Sequence, residues 1–314
     1  MSKIAFLFPG QGAQYVGMGR ELAGQVPSVA RRFEQMNELL GFDLRQLCWE
    51  GPEEELKKTA NQQPAILAFS IACLDLLTEQ GIQPDVVAGL SLGEYSALVA
   101  AGVLTFEEAV PLVRKRGTYM QEAVPLGMGG MAAILGMKTE DVDSLCARAS
   151  AETGLHVEGA NYNCPGQIVV SGHTEAVARA MELASAAGGK AVKLSVTAPF
   201  HSKLLVRAGE MLAGALEQIP LRDAQVPVVA NVTADYVTDA GAIRSLLIEQ
   251  VSRPVRWEES IRRMIGDGVD TFIEVGPSKA LSGFLKKIDR NVRVFNVEDA
   301  QTLGKVLDSW GRVC

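Results

Sequence analysis

Short apolar runs alternate with longer stretches of helical spacing along the first part of the chain. "KIAFLF" breaks off at "PGQG", as a buried strand does on entering a loop. Apolar positions recur at helical intervals over 20–48 and 53–80, most clearly in "NQQPAILAFSIACLDLLTEQG", where Gly81 is placed to stop a helix. "DVVAGLS" reads as the next strand, with one helix from about Glu94 and a second over "TFEEAVPLVRKRGTYMQEAV". Strand and helix taking turns in this way predict an α/β fold on a doubly wound, mostly parallel sheet.

The middle of the chain changes rhythm. "GGMAAILG", "HVEGANYN", "GQIVVSG" and "KAVKLSV" read as strands, with helices over "TEDVDSLCARASAE" and "TEAVARAMELASAAG". The order β-α-β-β-α-β is that of a ferredoxin-like unit, expected at 126–197 and inserted into a large unit formed by 1–125 and 198–314. Long helices follow, with strands at "VPVVANV" and "TFIEVGP", the latter expected to complete the main sheet. A cleft between the two units is the expected ligand site.

Composition narrows the function classes. With 314 residues, 47% of them hydrophobic, the chain can bury a sizeable core, and disorder is excluded. A net charge of −7 without a long basic run excludes nucleic acid as a partner. The N-terminal apolar run is too short for a secretory signal, and no stretch approaches the roughly 20 apolar residues of a membrane span. Cys48, Cys73, Cys146, Cys164 and Cys314 form no CxxC pair; scattered thiols of this kind predict a reduced, cytoplasmic protein without a structural metal.

The candidate chemistry centres on "GLSLG". Ser91 lies between Gly89 and Gly93, after an apolar strand and before a helix, the arrangement of a nucleophile elbow. The glycines permit a sharp turn and leave room for a substrate carbonyl beside Oγ. The following helix aims free N–H groups at the corner, so the Leu92 amide can stabilise an oxyanion. The competing reading is an ordinary turn serine.

A nucleophilic serine needs a base, and three histidines are available. His156 opens a strand and His173 precedes a helix on the expected surface. His201, in "APFHS", comes where the chain returns to the main sheet, so order favours it. The acids between Ser91 and His201, including Asp141, Asp143, Glu158 and Glu175, fall in the inserted unit, and none fits a triad. A backbone carbonyl is the alternative orienting group. "FPGQGAQYVGMG" lacks the third glycine of a dinucleotide loop; Gln11 instead offers an amide to a carbonyl oxygen. Arg116, in "VRKRGTYM", adjoins the apolar face of Val113, Gly117 and Met120, and if buried it is expected to have an anionic partner.

Taken together, "FPGQGAQ", "GLSLGEYSALVAAG", "VRKRGTYMQ", "NYNCPGQIVVSG", "APFHS", "ANVTA" and "QVSRPVRW", in that order, resemble the malonyl-CoA:acyl-carrier-protein transacylases over essentially the whole chain. The resemblance implies an α/β-hydrolase-like large subdomain carrying a ferredoxin-like small one. It implies Ser91 as nucleophile, His201 as base, Gln11 and the Leu92 amide as oxyanion hole, and Arg116 as partner of the malonyl carboxylate. It also implies the main-chain carbonyl of Gln250 as the group that holds the imidazole. Asn161, Asn231, Phe200 and Met120 are implied as cleft-lining, with the Phe200 ring crowding a 2-methyl branch. Two departures stand out: Leu90 precedes the serine where histidine is common, and Lys203, Leu204 and Leu205 follow "APFHS".

The implied reaction moves a malonyl group from malonyl-CoA to the phosphopantetheine thiol of acyl carrier protein in fatty-acid synthesis, by a monomer with no cofactor. Docking an acidic carrier on an acidic chain requires local basic residues, for which Lys190, Lys193, Lys203, Lys286 and Lys287 are candidates. The alternatives are a polyketide-type malonyl acyltransferase and a serine thioesterase or esterase.

Overall fold

The computed structural model describes residues 2–196 and 198–311; Cys314, and the last position of the expected 126–197 unit, lie outside them. Its ten strands are β1 (Lys3–Phe8), β2 (Val86–Gly89), β3 (Gly129–Leu135), β4 (Val157–Cys164), β5 (Gln167–His173), β6 (Lys190–Lys193), β7 (Val228–Val229), β8 (Tyr236–Val237), β9 (Val269–Val275) and β10 (Arg293–Val297). They form a six-stranded sheet, order β10-β9-β1-β2-β7-β8, and a four-stranded sheet, order β4-β5-β3-β6. The first is parallel except for the β7–β8 pair, and the second is antiparallel throughout.

Side-chain alternation explains why both faces of the large sheet are covered. Phe6, Phe8, Val87, Ile273 and Val275 point into one core with the Thr59–Glu79 helix, whereas Ala5, Leu7, Ala88 and Phe272 point into another. That second core is closed by Trp257, Ile261, Leu281 and Leu285 from the Trp257–Gly266 and Ala280–Ile288 helices. Strands buried on two faces read as continuous apolar runs, which is why "KIAFLF" and "TFIEV" were legible. The small sheet divides likewise. Ala132, Ile134, Ile168 and Val170 pack beneath its own helices, while Met131 and Val169 face the large core.

Several expected elements differ. The spacing over 20–48 resolves into three helices, because Pro27 starts one and Gly41 ends it, and that over 53–80 into two, broken at Lys57-Lys58. "VPVVANV" contributes only Val228–Val229 to the sheet, since the N–H of Asn231 goes to the Glu94 carboxylate instead of a strand. The sheet does not end at "TFIEVGP": β10 pairs beyond it as an edge strand. No helix among the described residues is long and apolar enough to cross a membrane.

Gly117 and Gly93 mark the two close approaches that shape the site. A Cβ at Gly117 would stand 2.6 Å from the Thr59 carbonyl oxygen, so only glycine lets the Phe106–Glu122 helix lie this close to the start of the Thr59–Glu79 helix. A Cβ at Gly93 would stand 2.0 Å from the Phe8 carbonyl oxygen, where the Gly93–Ala100 helix begins against the end of β1. Gly93→Ala is therefore expected to cost roughly 1–3 kcal/mol and to lower the melting temperature by several degrees. Calorimetry checks this; an unchanged transition would show that the corner tolerates a methyl group.

Candidate active site

Neighbouring strands of the large sheet end on the same side and deliver its central residues. β1 pairs with β2 up to Phe8 and Gly89, so the loop carrying Gln11 starts beside the corner carrying Ser91. β7 lies on the other side of β2, and the chain just beyond it carries Asn231. Loops at the carboxyl ends of parallel strands are the usual location of a site in such sheets. Ser91 stands at φ 54, in the left-handed region that non-glycine residues seldom occupy. Its N–H donates to Asn231 Oδ1 at 2.6 Å, and its carbonyl accepts from Gln250 Nε2 at 3.0 Å.

His201, also strained at φ 57, meets this corner from the segment returning from the small sheet. Its Nε2 is 2.7 Å from Ser91 Oγ, and its Nδ1 is 2.8 Å from the Gln250 carbonyl oxygen. That carbonyl belongs to the last residue of the Ala240–Gln250 helix, where main-chain oxygens lack intrahelical donors. A carbonyl only accepts, so Nδ1 carries the proton and Nε2 offers its lone pair to the serine hydroxyl. Burial, reinforced by the nearby Arg116 charge, depresses the His201 pKa from 6.5 to about 4. The imidazole is thus a neutral base at physiological pH.

Arg116 is almost fully buried. Its Nη1 donates to Gln63 Oε1 at 2.9 Å, and its Nη2 donates to Gln250 Oε1 at 2.8 Å and to Ser91 Oγ at 3.1 Å. The Tyr95 ring lies 5.2 Å from the guanidinium carbon. The expected anionic partner does not touch it: every close acceptor is neutral. The carboxylate of Glu94 acts through Gln250, whose Nε2 donates to Glu94 Oε2 at 2.8 Å. Burial raises the Glu94 pKa to about 7 against the lowering effect of Gln250, Asn231 and Arg116.

In front of the serine is a cavity of about 250 Å³. Gln11, Ser91, Met120, Asn161, Phe200 and His201 line it, as the sequence reading expected of them. Asn231 does not. It lies behind the corner because its amide is occupied by Ser91 N–H and the Gly89 carbonyl, so its cleft-lining assignment is corrected. The Leu92 N–H has no hydrogen-bond partner among the described residues and caps the elbow helix, Gly93–Ala100. His156 and His173 are half-buried and do not line the cavity; they are bound to Glu158 and to the His156 backbone. No metal-holding group of His, Cys, Asp and Glu occurs among the described residues.

The sequence reading missed Glu94, Gln63 and Tyr95. Glu94 carried a signal: it is an acid in the otherwise small and apolar "GLSLGEYSALVAAG". An acid in a first helical turn is ordinarily explained by the helix dipole, which hid it.

The chain matches the family model described as an acyl transferase domain over residues 5–308. A Bacillus subtilis protein named malonyl CoA-acyl carrier protein transacylase is 52% identical over 304 residues, covering 96% of each chain. A crystal structure of malonyl CoA-acyl carrier protein transacylase from Clostridium perfringens superposes with a TM-score of 0.95 at 46% identity, covering 99% of this chain and 98% of that one. A malonyl-transacylase solved in complex with its type II PKS acyl-carrier protein superposes at 0.95 with 42% identity, covering 98% and 100%.

The depressed His201 pKa predicts how Ser91 reactivity varies with acidity. Labelling of Ser91 by a small sulfonyl fluoride, followed by intact mass, is expected to stay nearly level between about pH 6 and about pH 5. An imidazole of ordinary pKa would lose close to tenfold across that unit, and such a loss would contradict the burial argument.

Proposed function

The chain belongs to the acyl transferase family, among the malonyl CoA-acyl carrier protein transacylases, and from that premise we propose how its residues carry a malonyl group from malonyl-CoA to acyl carrier protein. One observation carries the reading: a buried guanidinium and a neutral imidazole both contact the same serine Oγ, at 3.1 and 2.7 Å. Ser91 passes its proton to His201 Nε2 and attacks the malonyl thioester. The oxyanion forms against the Leu92 N–H and the Gln11 amide, each such donor being worth roughly 10²–10³ in turnover. CoA leaves as a thiol with the proton from His201. The phosphopantetheine thiol then gives its proton to His201 and attacks the malonyl-serine ester, and Ser91 recovers its hydrogen.

Arg116 selects the acyl group. A carboxylate at the end of a malonyl chain reaches the guanidinium while its carbonyl is at Oγ, and a charge-assisted contact of this type contributes roughly 1.5–3 kcal/mol. An acetyl group offers nothing to the cation. The main-chain carbonyl on His201 Nδ1, where a hydrolase triad has a carboxylate, disfavours the esterase reading. The PKS complex, at 42% identity, supports a polyketide carrier as the second choice of acceptor.

The fold is read as an α/β-hydrolase-like part, 1–125 and 198–314, with a ferredoxin-like part over 126–197; the strand order β4-β5-β3-β6 supports the latter. Carrier docking is best supported at the Ala280–Ile288 helix. Phe284 lines the cavity, while Lys286 and Lys287, with Arg290 just beyond, line a shallow basic hollow close by.

Ser91→Ala is expected to abolish the mass increase on mixing with malonyl-CoA. Arg116→Ala is expected to slow malonyl transfer by roughly 10- to 100-fold while retaining or raising acetyl transfer. Arg116→Lys should also be poor, since an ammonium lacks the planar fork. Rates with malonyl-CoA and acetyl-CoA on each purified variant decide; equal loss for both donors would remove Arg116 from the selectivity argument.

A further inference from the structure

Behind the serine corner lies a carboxylate that the transfer steps do not use. Glu94 is 2% exposed, although it occupies the first turn of a helix, where acids ordinarily face water. Its Oε2 accepts from the Asn231 N–H at 3.1 Å and from Gln250 Nε2 at 2.8 Å. These same two residues hold both backbone polar groups of Ser91: Asn231 Oδ1 takes its N–H and Gln250 Nε2 reaches its carbonyl. One carboxylate oxygen therefore anchors both arms of the clamp on a backbone at φ 54.

The polarity of the Gln250 amide follows from the same contact. Its NH₂ group faces two acceptors, Glu94 Oε2 and the Ser91 carbonyl, which leaves Oε1 turned to Arg116 Nη2 at 2.8 Å. A flipped amide would set oxygen against carboxylate and NH₂ against guanidinium. An ionised carboxylate only accepts hydrogen bonds, so it excludes that flip. We propose that Glu94 is a positioning residue of the transfer reaction: as an obligate acceptor it fixes Asn231 and Gln250, and through them the corner that aims Ser91 and the side chain that aligns Arg116. This rests on the malonyl-transfer reading above.

The charged and titratable groups of the cluster are Arg116 from the Phe106–Glu122 helix, His201 from the returning segment and Tyr95 beside Glu94 on its own helix. The contacts from the remaining sides, Asn231 and Gln250, are neutral amides. Burial holds His201 at about 4 and Tyr95 at about 12, and Glu94 at about 7 is the group that changes charge between them. Above that value the carboxylate is ionised and the clamp is tight. Below it the clamp keeps its shape but loses a charged acceptor.

The test is the rate of malonyl-serine formation, read by rapid-mixing intact mass from about pH 5 to about pH 8, for the wild type, Glu94→Gln and Glu94→Ala. The wild-type rate should fall roughly five- to tenfold to a lower plateau as pH drops through about 7, reflecting the weaker bond to an uncharged acceptor. Glu94→Gln, of the same shape without charge, should lack this step and run at the lower plateau throughout. Glu94→Ala, which strands both N–H donors, should be slower than Glu94→Gln at every pH. A step that persists in Glu94→Gln, or equal rates for the two variants, would overturn the proposal. Thermal melts identify a variant that does not fold; should Glu94→Ala fail this, the presence or absence of the step in Glu94→Gln decides. If wild-type Ser91 takes no malonyl group, the functional reading fails separately, and sulfonyl fluoride labelling supplies the same profile for Glu94.

Discussion

Ser91 is useful only while its backbone stays where a serine does not prefer to be. A non-glycine residue in the left-handed region carries strain of roughly 1–3 kcal/mol and persists only where its surroundings over-determine it. Here the surroundings are specific. The Asn231 side chain holds the N–H, the Gln250 side chain holds the carbonyl, and the Gly93–Ala100 helix begins against β1 too tightly for any side chain at its first residue. His201 is strained in the same sense, so both partners of the Oγ–Nε2 contact are held in place by their neighbours.

Charge is handled with similar economy. The guanidinium of Arg116 is buried among amide and hydroxyl oxygens, with its nearest carboxylate one amide away. Direct pairing with Glu94 would have quenched it. Held by neutral acceptors, it keeps an unspent preference for an anion, and it reinforces the burial that keeps the imidazole beside Ser91 uncharged. One cation is therefore placed to act in two ways: it remains available to an anion entering the site, and its charge adds to the burial that disfavours an imidazolium beside Ser91.

The central strands and the elbow were legible because their signals are local. A buried parallel strand shows as an apolar run, and a Gly-x-Ser-x-Gly corner needs its glycines within two residues of the nucleophile. His201 was legible by elimination among three histidines. Helical spacing set Arg116 beside the apolar face, but its role, like the identity of the Gln250 carbonyl, came only through resemblance, since any helix end offers a carbonyl. Asn231 was placed near the site but on the wrong side of it, because a short motif reports neighbourhood and not side-chain direction. The edge strand β10 escaped because it is mostly half-buried, and so lacks the unbroken apolar run of the central strands.

The small sheet has one face committed to its own helices and the other to the cavity, where Met131 and Val169 form wall beside Asn161 and Asn163. Since successive residues of a strand point to opposite sides, every second position there can change without loosening the layer beneath. Ser91, His201 and Arg116 all come from elsewhere in the chain. The shape of the cavity wall can thus drift over evolutionary time while those three side chains stay in register, much as the jaws of a vice are exchanged without touching its screw.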